Sequence, residues 1–194
     1  MEPFVPTRPE RVDARRNYER VLVAAREVFA RDGVDASLND IARRAGVGAA
    51  TLYRHFPTRE ALLEALLAER YTSLATLAHE LIDSPSPAQA VTEWLTAFMA
   101  HVSTYRGLAV PVKTALDDEN SALYSACHAM RAAWSDLLAH AQRSRALRAD
   151  TDATDMLRLA NAIAWATEDL PDNTHQAQRL LNHTLEGFGP SPAT

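Results

Sequence analysis

Apolar residues recur along most of this chain with the spacing of helices buried on one side. Tyr18, Val21, Leu22, Ala25, Val28 and Phe29 follow an i, i+3, i+4, i+7 pattern that predicts an amphipathic first helix, and Gly33 stands where its C-terminal cap belongs. Two short helices follow. Leu38 to Ala45 is opened by Ser37 as N-cap, with Asp40 three residues on as a variant capping box, and is stopped by Gly46. About Gly48 to His55 is ended by Phe56-Pro57. Thr58 caps a long fourth helix that carries leucines from Leu62 to Leu81, and Ser84-Pro85-Ser86-Pro87 breaks the chain after it. Further apolar stripes run from Val91 to Val102 and from Leu123 to Ala141, with a short or irregular segment flanked by Gly107 and Pro111 between them. Asp152 to Thr167 and Asn173 to Gly187 supply the last two helices. No segment alternates as a strand does, so the expected fold class is all-α with about nine helices. The opening residues hold three prolines and no period, which predicts a disordered arm over 1–13, then a smaller helical unit over 14–60 and a second helical unit over 61–189.

Composition narrows the classes. In 194 residues, 47% are apolar and 23% charged, values of an ordinary globular core. No apolar run reaches the ~20 residues of a membrane span, and no signal-peptide core is visible. With the lone Cys127, this predicts a cytoplasmic protein without a membrane partner. The net charge of −5 argues against nucleic acid until its distribution is considered. Residues 8–59 hold eleven arginines against seven acidic side chains, whereas residues 60–194 hold nine basic against seventeen acidic ones. A polyanion is steered to the first part and repelled by the second.

The first part also carries the chemistry. From Ser37 to Phe56, two short helices joined by a glycine turn form the outline of a helix-turn-helix, with Ile41, Ala42, Ala45, Val47 and Leu52 facing inward. Gly46 supplies a left-handed turn residue. Thr51, Tyr53, Arg54 and His55 bring hydroxyl, cationic and imidazole groups to the second helix, types suited to phosphates and base edges. The run IARRAGVGAATLYRHFPTREALLEALL resembles the DNA-binding signature of TetR-family transcriptional regulators, and Ala24, Ala25, Phe29 and Gly33 extend the likeness over residues 17–67. The resemblance implies a homodimer that places paired recognition helices in successive major grooves of an operator, with a C-terminal unit that binds a regulatory ligand. It implies phosphate contacts for Tyr53 and His55. Arg59 occupies a place often taken by Lys, and Ala50 one often taken by Gly. The expected DNA-binding set is therefore Ser37, Arg44, Gly48, Ala49, Ala50, Thr51, Tyr53, Arg54, His55 and Arg59.

For the second unit the expectations are coarser. Dimer contacts implied for the last two helices fall on Leu157, Ala160, Ala164, Leu181 and Leu185. A small, largely apolar ligand is expected among Phe98, Met99, Tyr124, Met130, Trp134 and Trp165, with His101, Tyr105, Arg131 and Asn161 as polar groups. The plain alternative for each of these is core packing. The seven histidines show no i, i+4 pair, and no nucleophile–base pair or phosphate loop is evident. No catalytic residue, metal site or cofactor is expected. A ligand-responsive regulator, more often repressor than activator, is the leading reading. An architectural DNA binder without ligand and an all-α enzyme are its rivals.

Overall fold

Helix α1 (Arg8–Asp32) starts earlier than its apolar period suggests. Pro9 lies in the first turn, where a missing N–H removes no hydrogen bond, so residues 8–13 are helical rather than part of an arm. The computed structural model describes residues 8–33, 35–104 and 113–188. Among these, eight more helices follow: α2 (Leu38–Ala45), α3 (Ala49–His55), α4 (Arg59–Leu81), α5 (Pro87–Thr104), α6 (Lys113–Asp117), α7 (Ala122–Arg143), α8 (Ala153–Ala166) and α9 (Asn173–Gly187). No described residue is in a strand, and the fold is all-α. No described helix is long and apolar enough to cross a membrane.

The helices form two units, one ending at Leu67 and the next starting at Ala68. The boundary thus falls inside α4, not at 60/61. Leu62, Leu63, Leu66 and Leu67 are buried yet lie outside the core cluster of the larger unit, so the first turns of α4 complete the smaller one. In that smaller unit α1 packs on α2 and α3, burying Val21, Ala25, Phe29, Ile41, Ala42 and Leu52.

The larger unit is built around α5, which packs on α7, α8 and α9. Trp94 of α5 stacks on Trp134 of α7 at 4.6 Å between ring centroids and on Phe98 at 5.6 Å. Both buried indoles are satisfied: Trp94 Nε1 donates to the Leu74 carbonyl at 2.8 Å and Trp134 Nε1 to that of Ala153 at 2.9 Å. Hydroxyl and carboxylate caps fix the helix starts. Ser121 Oγ accepts from Tyr124 N, and Asp152 Oδ1 accepts from Thr154 N and Asp155 N.

This core absorbs residues that the sequence reading assigned elsewhere. Leu157, Ala160, Ala164 and Leu181 are buried in it, and Leu185 packs half-buried against it. The apolar stripes of α8 and α9 are thus spent largely within the protomer. The large apolar residues exposed on these helices are Leu159, Trp165 and Leu180.

His101 is 5% exposed, with its ring edge-on to Tyr71 at 5.0 Å. Burial, and secondarily the charge of Arg70, lowers its pKa to about 4. Between pH ~6.5 and ~4 the unfolded chain therefore binds a proton that the folded chain excludes. Stability is fully present above the unfolded value and is expected to fall through that window, by up to about 3 kcal/mol. Urea melts at pH 7 and pH 4.5 would reveal it. His101→Gln should flatten the profile, and an unchanged profile would show that another group carries the dependence.

Candidate nucleic-acid interface

The smaller unit is shaped by local chemistry at each helix end. Ser37 has extended backbone, and its Oγ accepts from Asp40 N at 3.4 Å, as an N-cap should. The reciprocal half of the capping box is absent, because the Asp40 carboxylate pairs instead with Arg43 at 2.8 Å. Gly46 closes α2 with φ +64°, and Val47 N donates to the Ala42 carbonyl at 3.0 Å in a left-handed cap. A Cβ at Gly46 would also collide with the Arg20 guanidinium, which donates to the Gly46 carbonyl at 3.2 Å. Arg20 is thus part of the turn, a role that its place on the polar side of α1 does not announce.

The short α3 divides its residues sharply. Leu52 is fully buried and Phe56, its C-cap, nearly so. Tyr53 is 45% exposed, and Arg54 is exposed beside it. Among the described residues, neither side chain makes a hydrogen bond or ion pair. Gly48, Ala49 and Ala50 are exposed at the start of α3, and Thr51 is half-buried. His55 is half-buried, its ring 5.9 Å from Tyr18 of α1, and Tyr18 in turn lies 4.9 Å from Phe56. Tyr18, read from the sequence only as part of an apolar stripe, therefore fixes the setting of His55.

The other expected contact residues stand differently. Arg44 is exposed but paired with Glu27 of α1 at 2.8 Å. The Arg59 guanidinium donates to the Ala36 carbonyl and ties the start of α4 to the segment before α2. The fold therefore gathers Gly48, Ala49, Ala50, Thr51, Tyr53, Arg54 and His55 on one short helix, with Ser37 and Arg44 on α2 or its cap. Arg59 has a structural bond of its own.

The expected ligand residues of the larger unit do not form one set. Phe98, Met99, Met130 and Trp134 belong to the buried core. Tyr124 is half-buried against His128, at 3.9 Å between ring centroids. Arg131, Asn161 and Trp165 are exposed, and Tyr105 lies outside the described residues. Of the nine that are described, Met99 alone lines a half-open cleft of about 210 Å³ between α5, the end of α8 and the start of α9. Among the described residues, no cluster of side chains could hold a metal ion.

A three-helix unit whose last short helix presents aromatic, cationic and small residues outward is the architecture of a helix-turn-helix DNA-binding protein. Comparison with known proteins makes this specific. The family profile of the bacterial regulatory proteins, tetR family, matches residues 21–66. That of the transcriptional regulator SbtR-like C-terminal domain matches residues 86–190. The crystal structure of a TetR transcriptional regulator from Streptomyces coelicolor is 33% identical, with 90% of this chain and 99% of that one covered, at a TM-score of 0.74. The TetR regulatory protein of Mycobacterium vanbaalenii is 31% identical over 93% of this chain and 99% of that one, at a TM-score of 0.64. The HTH-type transcriptional regulators TtgW and SrpR of Pseudomonas putida each share 44% identity over 59 residues, 30% of this chain. Those matches span 44% and 28% of the two Pseudomonas proteins, less than half the length of either. The chain belongs to the TetR family of transcriptional regulators, and it is a DNA-binding regulator of that type.

Proposed function

We propose that this chain forms a two-fold symmetric repressor that leaves a palindromic operator when a small, largely apolar molecule binds its larger unit. The observation that carries the reading is the division of α3: Leu52 is buried while Tyr53 and Arg54 stand outward, with no hydrogen bond or ion pair among the described residues. Arg54 and the Tyr53 hydroxyl, with His55 held by Tyr18, serve phosphates. Gly48, Ala49, Ala50 and Thr51 meet base edges, where methyl groups suit thymine. Ser37 and Arg44 flank the same groove. The Arg44–Glu27 pair is exposed and therefore weak, so a phosphate can displace the carboxylate. Arg59 supports the interface through the Ala36 carbonyl.

Pairing uses the outward residues of α8 and α9, among them Leu159, Ala162, Ala166 and Leu180. The ligand favours a form whose two recognition helices no longer match successive grooves, and operator affinity falls by that difference in binding.

Selection of bound sequences from random DNA tests the first half. The expected sites have dyad symmetry, with half-sites separated by about one helical turn or a multiple of it. Affinity for them should fall steeply with salt, and Arg54→Ala should reduce the log–log slope by about two per dimer. Sites without symmetry, or affinity indifferent to salt, would refute the reading. Compounds can then be screened for release of the selected DNA.

A further inference from the structure

The fold treats its three tryptophans in two ways. Trp94 and Trp134 are buried, stacked, and bonded through their indole N–H groups to backbone carbonyls. Trp165, near the end of α8, is 75% exposed. An indole carries about 150–250 Å² of surface that favours burial, and tryptophan is enriched among the few residues that dominate binding energy at interfaces. Ala162 lies one turn before Trp165 and Ala166 beside it, both exposed, so the indole rises from small neighbours that allow close approach.

The half-open cleft of about 210 Å³ is bounded by α5, the end of α8 and the start of α9. Met99, Ala100 and Ala177 give it apolar lining, and Thr96, Thr167 and Gln178 give it polar groups. It is below the ~300–1,000 Å³ of small-molecule pockets. It exceeds the ~150 Å³ that takes a benzene ring, which leaves room for one indole. Gln178 Oε1 accepts from Thr96 Oγ1 at 2.9 Å and keeps a second lone pair for an indole N–H.

We infer that Trp165 is the anchor of the homodimer and sits in the cleft of a second copy of this chain. Trp165 and the cleft residue Thr167 are two positions apart, so anchor and receptor lie at one end of α8. A two-fold axis passing near that end makes the contact twice at once, each copy giving one indole and receiving another. The inference rests on the dimer reading above but names the residue and the seat.

Sedimentation of wild type, Trp165→Ala and Ala100→Phe separates the two ideas. Ala100 is exposed and lines the cleft, so phenylalanine there blocks the seat from the receiving side. Ser103→Tyr is a second blocker if Ala100→Phe loses its helical circular dichroism. Both kinds of variant should weaken dimerisation about 100-fold or more, because each change is felt at two contacts. Wild-type tryptophan emission should shift to longer wavelength on dilution to monomer, since the other two indoles stay buried throughout. A wild type that is monomeric at roughly 10 μM would overturn the dimer reading itself. A dimeric wild type with Trp165→Ala within about threefold of it would overturn this inference alone. So would loss of dimer in Trp165→Ala while folded blocked variants still associate, or a wild-type dimer whose emission does not move on dilution.

Discussion

Trp134→Ala is expected to cost about 3–5 kcal/mol of folding stability, the range for truncating a large buried aromatic residue. Trp134 is 1% exposed, and its ring stacks on Trp94, which stacks on Phe98. Alanine removes the centre of contact between α5 and α7 and the hydrogen bond to the Ala153 carbonyl at the start of α8. Rigid helices on both sides cannot collapse into the space, so the cavity adds to the lost transfer energy. In a chain of this length each kcal/mol lowers the melting temperature by roughly 2–4 °C, giving a fall of roughly 6–20 °C. Circular dichroism melts measure it directly. A loss below about 1 kcal/mol would mean that the stack is not the packed centre it is taken to be.

The second large effect concerns DNA. Tyr53→Ala with Arg54→Ala should lower operator affinity roughly a thousandfold. Each group is worth about 1 kcal/mol or more when it meets a phosphate, and a two-fold complex loses it twice. Folding should be nearly unaffected, since both side chains are exposed and make no described bond within the protein. Titration of fluorescent operator at fixed salt provides the number. Tyr53→Phe keeps the ring and should weaken all sequences by a smaller common factor, whereas Thr51→Ala should change which bases are preferred. A folded double variant that binds with wild-type affinity would remove α3 from the interface.

Local chemistry was the most readable part of this chain. Ser37, Gly46 and Thr58 mark helix ends because a side-chain oxygen or a left-handed φ is needed at one residue, and the residue types announce it. The second unit was harder, because an apolar stripe states that a helix is covered but not by what. Leu157, Ala160, Ala164 and Leu181 fit an intermolecular seam and an internal core equally well in sequence, and the structure uses them as core. The same ambiguity drew Phe98, Met130 and Trp134 into an expected pocket. Arg59 shows the opposite difficulty: a cation before a helix invites a phosphate, yet its first acceptor is the Ala36 carbonyl, brought close only by the tertiary fold. Exposed Trp165 is legible only once the burial of its two companions is known.

Helix α4 has a practical consequence for anyone dissecting the molecule. Its early leucines complete one core, and Leu74, Ala75 and Ala78 enter another, so the change from one unit to the next occurs within unbroken hydrogen-bonded helix. A protease needs an extended, accessible strand of backbone and finds none at that seam. The Ser84–Pro87 turn, the natural place to cut, lies wholly on the far side of it. Digestion there would strip the DNA-binding unit of nothing but would leave it carrying a helix whose later half has lost its partners. The exposed Leu74 and Ala78 would make that fragment prone to aggregate.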